Sequence, residues 1–504
     1  MKRRATNALP TPTLYKIMTA TPKREKMSAV DTAWLRMDRP HNLMMITGVI
    51  IFRERVPLAR LRKVIAKRFL VFRRFGQRAV ETTAGAYWET DPGFDVENHV
   101  VHVALPGRAG NRELQTLISR LACTPLEPLR PMWQFHLVDN FNGGCALVMR
   151  IHHSYADGIA LVRVMLSMTD STAHGPPAMP FAPQPRRRRE PEEGLAHLLA
   201  PLSGAMAVAK KIGATLIEMG GELWDDPARA AALAGQGTAI TAELAKLALM
   251  PQDSHTRFKG KPSIGKRVAW ADPLPLFDVK AIGKALGASV NDVLLSCVAG
   301  ALRGYLVDKG DDVDGVMIRA LVPINMRPLE KAYKLGNQFG VVFLELPIGI
   351  ENPVERLYAV RANMAALKGS FQPLLTLGLL AAAGAGPKLL QDQLITVLAR
   401  NATAVMTNVP GPQQPLFLAG GKIERFLFWV PQSGDIGMGV SILSYNDQVQ
   451  FGLITDRGLC PDPERVIARF GSEFEMLALT TLMAPWPRDN ELDPAEAAAA
   501  AGVA

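Results

Sequence analysis

The stretch at residues 143–168 reads GGCALVMRIHHSYADGIALVRVMLSM, and this stretch decides the fold class. Its first half is an apolar run after a Gly-Gly turn, which predicts a buried strand. Its second half, IALVRVMLSM, is long and apolar enough for a helix that follows directly. A strand that turns into a helix is the unit of an α/β domain, and the polar cluster HHSYADG lies at the turn, where functional side chains collect.

The same alternation extends in both directions from this stretch. Towards the N-terminus, MMITGVIIF predicts a strand and VPLARLRKVIAKRFL and ELQTLISRLAC predict helices. Towards the C-terminus, RVAWADPL, VMIRALVPINM and FGVVFLELPI predict strands, and LFDVKAIGKALG and VNDVLLSCVAGALRGYLVDK predict helices. The turn residues Asn446 and Asp447 between two apolar runs predict a hairpin.

Changes in composition divide the chain into five parts. We expect a basic, disordered extension at residues 1–26, an α/β domain at 27–170 and a second α/β domain at 266–483. We expect residues 171–265 to be a linker that begins Pro-rich and Arg-rich and continues with two Ala-rich stretches, which predict cover helices, and we expect residues 484–504 to be a flexible tail. The run Arg186 to Arg189 fits a solvated loop, or a contact with an anionic membrane or a cofactor phosphate.

Composition excludes several classes of protein. Among 504 residues, 48% are hydrophobic and 21% are charged, which is typical of a globular protein and not of a disordered one. The four Cys residues never form CxxC, so a disulfide framework and a Cys-based zinc site are excluded, and a reducing, cytoplasmic setting is favoured. The net charge of +10 suggests an anionic partner, but no nucleic-acid signature is present, so we expect no nucleic acid.

The longest uncharged stretch lies between Lys368 and Lys388. It is broken by Gly and Pro and is shorter than the roughly 20 strongly apolar residues that span a bilayer. It predicts a buried or tunnel-lining helix, with a segment that dips into a membrane as the alternative.

Two adjacent histidines, His152 and His153, close the predicted strand. Neighbouring side chains on a strand point to opposite faces, so only one of the two can face a given cleft and their roles must differ. A neutral imidazole in a cleft can take a proton from a hydroxyl group. Asp157 can orient that imidazole or pair with a distant Arg, and Gly158 permits a tight turn close to the ring.

Other interpretations of this cluster stay open on the residues alone. HHxxxD can be half of a metal site, although no second cluster supplies a third ligand, and both histidines can be core residues with satisfied hydrogen bonds. A covalent route is disfavoured because GxSxG is absent and no Cys lies near a His in the sequence. The absence of a phosphate-binding loop and of a complete dinucleotide fingerprint argues against nucleotide chemistry.

Five blocks, taken in order, resemble the bacterial wax ester synthase/diacylglycerol acyltransferase family from about Met27 to about Met483. HHSYADG matches the family's HHxxxDG motif, which is shared with acyltransferases of the chloramphenicol acetyltransferase-like fold. The other blocks are PLRPMW at 128–133, SVNDVLL at 289–295, VPINMR at 322–327 followed by LGNQFG, and TNVPGP at 407–412. Thr407 replaces the family's Ser and keeps the hydroxyl group.

The resemblance implies a two-domain α/β fold with a tunnel between the halves. It implies that His153 is the general base, and that His152 and Asp157 are mainly structural, with Asp157 paired to Arg319 or Arg327. Asn291 is implied as an oxyanion donor or substrate-positioning group, with a helix N-cap as the alternative. The remaining residues implied to have a structural or substrate-positioning role are Gly158, Asp292, Thr407 and Asn408.

The resemblance also implies O-acyl transfer from acyl-CoA to a long-chain alcohol or to diacylglycerol, without a covalent acyl-enzyme. Acyl-CoA is then a co-substrate and no cofactor or metal is expected. The expected location is the cytoplasm, peripherally on the inner membrane face or on lipid inclusions. Two alternatives stay open: a catalytically silent protein that binds a lipid surface, and an acyltransferase for small or carrier-bound acyl groups.

Overall fold

A computed structural model describes residues 24–83, 85–173, 175, 247, 250–327, 335–368 and 370–484. The strands are β1 (Glu25–Lys26), β2 (Met45–Phe52), β3 (Gln77–Thr82), β4 (Gly85–Thr90), β5 (Val100–Val103), β6 (Trp133–Val138), β7 (Cys145–His152), β8 (Lys266–Trp270), β9 (Leu274–Pro275), β10 (Met317–Asn325), β11 (Phe339–Pro347), β12 (Ala404–Pro410), β13 (Phe417–Leu418), β14 (Gly421–Trp429), β15 (Met438–Tyr445) and β16 (Gln448–Asp456).

The α-helices alternate with these strands. They are α1 (Ala29–Arg36), α2 (Leu58–Val64), α3 (Val96–His99), α4 (Asn111–Ala122), α5 (Gly158–Met168), α6 (Leu276–Ala285), α7 (Val290–Asp308), α8 (Pro353–Leu367), α9 (Gln372–Ala385), α10 (Lys388–Arg400) and α11 (Pro463–Met483). A π-helical turn (Ile65–Phe69) continues α2, and a 3₁₀ turn (Arg73–Gly76) precedes β3.

The first lobe is built on a six-stranded sheet in the order β13-β14-β2-β7-β6-β5. Every residue of β7 is buried, because α5 packs on one face of the sheet and α4 lies on the other. Strand β2 pairs antiparallel with β7 and places Met45 opposite His152. This pairing fixes the position of the loop after β7, where the polar cluster lies.

The second lobe is built on a seven-stranded sheet in the order β11-β10-β12-β15-β16-β8, with β9 paired to β16. Helix α7 lies at the centre of its core, with thirteen buried residues, from Asp292 to Leu306. The hairpin predicted at Asn446 and Asp447 is confirmed, since both residues have positive φ and join β15 to β16.

The C-terminal half of the chain contributes a strand to the sheet of the first lobe. Strand β14 follows β12 of the second lobe but pairs with β2 of the first, and its Arg425 donates to Gln450 of β16 at 2.9 Å. A core cluster between the sheets contains Leu427 and Trp429 of β14 and Val268 of β8. The lobes therefore share one hydrophobic interface, which the linear division of the sequence did not anticipate.

Helix α7 is long and apolar enough to cross a membrane, but 72% of its apolar window is buried inside the protein, as in a core helix. Helices α8 and α9 pass the same test only as a pair bent by 62°. In α9, Thr376 and Leu380 line an internal cavity, which confirms the tunnel-lining helix predicted between Lys368 and Lys388.

The predicted strands and helices within the described ranges are confirmed, including β2, β7, α5 and α7. Residues 1–23 of the basic extension, residues 176–246 of the linker with the run Arg186 to Arg189, and residues 485–504 of the tail lie outside the described residues.

Candidate active site

The two adjacent histidines diverge at the end of β7, as predicted. His152 is turned towards the first lobe, where its Nδ1 lies 2.8 Å from Ser154 Oγ and its Nε2 lies 3.2 Å from Asp38 Oδ2. His153 is turned into a cavity between the lobes. The strand end therefore separates a histidine that is held by polar contacts from one that is available for chemistry.

The His153 ring is held by aromatic side chains. Its ring stacks on Trp34 of α1 with centroids 4.1 Å apart, and Phe339 of β11 lies tilted at 5.6 Å. The backbone N–H of His153 donates to the Met44 carbonyl at 2.7 Å, which fixes the loop. Only 5% of the residue is exposed to solvent.

Burial, together with the nearby His152, lowers the pKa of His153 to about 3. The imidazole is therefore neutral at physiological pH. A neutral imidazole can accept a proton from a hydroxyl group, whereas an imidazolium cannot.

The cavity beside His153 has a volume of about 330 Å³ and is lined almost entirely by apolar side chains. Ile46, Met149 and Phe428 come from the first lobe, and Leu321 and Val405 from the second. Such an apolar lining suits a hydrocarbon chain. The few polar groups in its lining besides His153 are Asp157, Asn325, Thr376, Thr407, Asn408 and Ser433.

Asp157 forms a buried ion pair with Arg327 and does not bond to His153. Its Oδ2 accepts from Arg327 Nη2 at 2.9 Å and from the Gln338 backbone N–H at 3.1 Å, and its Oδ1 caps α5 by accepting from the Ala160 N–H at 2.9 Å. Of the two predicted Arg partners, Arg327 is thus the one observed. The alternative in which Asp157 orients the imidazole directly is wrong, because both of its oxygens are engaged elsewhere.

The other predicted partner, Arg319, pairs instead with Glu345 at 2.9 Å. Gly158 lies on the cavity wall as the first residue of α5. A tight turn is not the reason for glycine here, because its φ is not positive and a Cβ would meet nothing within 4 Å. The small residue leaves the cavity open beside the histidine.

Asn291 and Asp292 lie in the first turn of α7, and neither lines the cavity. The N-cap of α7 is Ser289, which forms a capping box with Asp292, so the N-cap alternative for Asn291 is wrong. Asn291 is exposed and its Oδ1 accepts from Asn408 Nδ2 at 2.5 Å. Of Asn291, Asp292, Thr407 and Asn408, the two that line the cavity are Thr407 and Asn408.

Four residues around the histidines were missed by sequence reasoning: Asp31 and Trp34 on α1, Asp38, and Asn337. Asp31 and Trp34 are three residues apart, as on one buried face of a helix, and Asn337 belongs to the LGNQFG block. The three-residue spacing and the LGNQFG block are the sequence features that point to Asp31, Trp34 and Asn337. Among the described residues, no three His, Cys, Asp or Glu are grouped so that they could hold a metal ion.

Comparison with known families agrees with this geometry. Residues 27–294 match the wax ester synthase/diacylglycerol acyltransferase catalytic domain, and residues 335–478 match the WS/DGAT C-terminal domain. The chain belongs to the wax ester synthase/diacylglycerol acyltransferase family. It is therefore an acyltransferase, as the resemblance implied.

Relatives of this acyltransferase cover most of its length. A probable diacylglycerol O-acyltransferase of Mycobacterium tuberculosis H37Rv is 29% identical over 77% of this chain and 83% of its own. A putative diacylglycerol O-acyltransferase of Mycobacterium bovis is 27% identical over 83% of this chain and 82% of its own.

Solved structures show the same fold. The wax ester synthase/diacylglycerol acyltransferase from Marinobacter aquaeolei VT8 has a TM-score of 0.65 at 23% identity, covering 91% of this chain and 100% of its own. Trichothecene 15-O-acetyltransferase from Fusarium sporotrichioides has a TM-score of 0.57 at 13% identity, covering 94% and 99%. The predicted two-domain acyltransferase fold is confirmed.

Replacing Asp157 by Asn should lower the free energy of unfolding by about 3 kcal/mol or more, because the buried Arg327 guanidinium loses its carboxylate partner. Chemical denaturation measures this loss. The matched control is Glu81→Ala, which breaks the partly exposed ion pair to Arg36 and should change stability much less. Equal effects of the two substitutions would show that the Asp157 pair has no special structural role.

The buried, neutral His153 should make the protein sensitive to acid. Because its pKa in the folded state lies below the ordinary 6.5, the unfolded chain binds a proton first, and stability falls as the pH drops from 6.5 towards 3. At pH 5 this group alone should cost about 2 kcal/mol relative to pH 7. Unfolding free energies at both pH values should show that His153→Gln loses less stability than the wild type, while His255→Gln at an exposed position loses as much.

Proposed function

We propose that this acyltransferase moves a long-chain acyl group from acyl-CoA to a fatty alcohol or to diacylglycerol, with His153 as general base and without a covalent acyl-enzyme. The observation that carries the proposal is the neutral His153 ring on the wall of an apolar cavity between the lobes. The names of the mycobacterial relatives favour diacylglycerol as an acceptor.

In this mechanism the acceptor hydroxyl gives its proton to His153 as its oxygen attacks the thioester carbonyl. A C–O bond forms, the carbonyl becomes an oxyanion, and the C–S bond then breaks to release CoA. The imidazolium returns its proton to the thiolate, so His153 is neutral again after each cycle. Thr407 and Asn408 line the same cavity and supply the hydroxyl and amide donors that an oxyanion requires.

Acyl-CoA acts here as a co-substrate, and we propose that no further cofactor takes part. The net charge of +10 favours an anionic partner such as the phosphates of CoA over an uncharged one. Nothing in the sequence favours nucleic acid as that partner.

Replacing His153 by Ala should lower kcat by about 10²-fold or more, through loss of the general base. CoA release from palmitoyl-CoA measures the rate, with hexadecanol, a diacylglycerol, short alcohols and an amine as acceptors. His255→Ala is the control at an exposed position. Near wild-type activity of His153→Ala would reject the base, and a preference for short acceptors or amines would favour small or carrier-bound acyl groups. No CoA release above a control without acceptor would favour a silent lipid-binding protein.

We further propose that the enzyme works in the cytoplasm, docked on the inner membrane face or on lipid inclusions through α9. Thr376 and Leu380 on one face of α9 line the cavity, while Leu374 and Leu377 on the outward face are half-buried and Phe371, the N-cap of α9, is 43% exposed. No charge interrupts this face between the exposed residues Lys368 and Lys388. An apolar helix face flanked by cations suits an anionic lipid surface.

The double substitution Phe371→Glu with Leu377→Glu should weaken binding to phosphatidylglycerol-containing vesicles by about 10-fold, because two carboxylates would enter the lipid interface. Vesicle flotation measures the bound fraction. The matched control is Phe277→Glu, a change of another exposed Phe, at 78%, on α6. Equal loss in both variants, or no loss in either, would reject α9 as the docking surface.

A further inference from the structure

A buried carboxylate approaches His153 from an element outside the HHSYADG loop. Asp31, in the first turn of α1, is only 4% exposed. Its Oδ1 accepts from the Asn337 backbone N–H at 3.0 Å and from Asn337 Nδ2 at 2.8 Å. Burial raises the pKa of Asp31, and the hydrogen bonds from Asn337 and the charge of Arg74 oppose that rise.

Asn337 connects this carboxylate to the histidine. Its Nδ2 also donates to the His153 backbone carbonyl at 2.9 Å, so both hydrogens of the amide are engaged with acceptors. The orientation of the amide is thereby fixed, with Oδ1 on the other branch of the side chain. The segment that carries Asn337 is itself docked on the histidine loop, because Gly336 forms a β-bridge with Ala156.

Three buried polar atoms near His153 remain without a hydrogen bond among the described residues: Trp34 Nε1, Asn337 Oδ1 and His153 Nδ1. The last two lie on the two residues that the Asn337 Nδ2 hydrogen bond joins. One is an acceptor, and the other becomes a donor when it carries a proton. Both belong to residues that are at least 95% buried, where an unpaired polar atom is costly. The backbone carbonyl of His153 and the Asn337 side chain both raise the pKa of His153, against the larger lowering by burial and by His152, as acceptors facing the ring do.

We propose that Asn337 and Asp31 are positioning residues, in which Asn337 Oδ1 accepts the proton on His153 Nδ1 and Asp31 holds the Asn337 amide in that orientation. The inference rests on the proposed role of His153 as general base. A proton on Nδ1 leaves the lone pair of Nε2 free for the acceptor hydroxyl. When Nε2 takes that proton, the imidazolium keeps its Nδ1–H bond to Asn337, and the buried carboxylate of Asp31 stabilises the new charge.

This arrangement separates the tasks of the two nearby acids. Both oxygens of Asp157 accept hydrogen bonds, from Arg327, from Gln338 and from the N-terminus of α5. Asp157 therefore holds the loop. Asp31 acts on the ring through one intervening amide. An amide between the acid and the imidazole passes on orientation and polarity but not a proton.

The first test reads the tautomer of His153 and does not depend on activity. In protein labelled with ¹⁵N-histidine, the signals of His153 are those absent from His153→Gln. We expect the Nδ1–H tautomer in the wild type and a mixture in Asn337→Ala. An Nε2–H tautomer in the wild type, or an unchanged tautomer in Asn337→Ala, would overturn the proposal.

The second test separates orientation from charge. Asp31→Asn keeps an acceptor for Asn337 but removes the charge, so kcat should fall by about 10-fold with little change in KM, whereas Asn337→Ala should lower kcat by about 10²-fold. Thr32→Val is the control, because it removes the hydrogen bond from Thr32 Oγ1 to Ser28 inside α1 without touching Asp31 or Asn337, and it should keep the wild-type kcat.

Wild-type kcat in both Asp31→Asn and Asn337→Ala, or an equal loss in Thr32→Val, would also overturn the proposal. If Asn337→Ala does not fold, the His153 tautomer and kcat are both measured in Asp31→Asn, which preserves the shape of the side chain. Failure of the general base is a distinct result: it would appear as an active His153→Ala enzyme, whatever tautomer His153 adopts in the wild type.

Discussion

The burial of one imidazole between two lobes is the constraint on which the rest of this structure depends. The His153 imidazole has to be buried from solvent so that it stays neutral, and it also has to lie on the wall of a cavity. Stacking on Trp34 meets the first requirement, because an aromatic face excludes water and offers the ring no hydrogen bond. Gly158 helps to meet the second, because it adds no side chain to the wall. The low pKa of His153 follows mainly from this burial, and His152 lowers it in the same direction.

A cavity between two lobes keeps its shape only if the lobes do not drift apart. Strand β14 provides that restraint, because it pairs with β2 in one sheet while Arg425 bonds to Gln450 in the other. The buried pair Asp157–Arg327 provides a second restraint beside the histidine. A buried ion pair adds little net stability compared with apolar packing, but it fixes geometry because breaking it leaves a charge unsolvated. Rigid walls position the reacting atoms before the substrates arrive.

Local patterns in the sequence are sufficient for most of the fold and for part of the site. The apolar runs of β7 and α5 have the periods of a strand and a helix, so the corner that carries His152 and His153 can be placed from sequence, together with the divergence of the two rings. The N-cap of α7 is harder to predict from sequence, because Ser and Asn are both favourable N-cap residues. Only the backbone conformation shows that Ser289, and not Asn291, has this position. The contact of Asp31 with Asn337 joins residues 306 positions apart, and no periodicity carries information over that distance.

The positions of Asp31 and Asp157 show why a motif alone describes this site incompletely. A carboxylate four residues after the histidine invites comparison with a catalytic triad, yet its oxygens face a guanidinium and the end of a helix. A second buried acid, Asp31, lies on the N-terminal helix and accepts from Asn337 of the second lobe, whose amide also donates to the His153 backbone carbonyl. Three separate segments therefore have to assemble before His153 is oriented. Under the proposed chemistry, folding of both lobes and formation of a competent base become a single event, so a half-folded chain has no oriented base with which to attack a thioester.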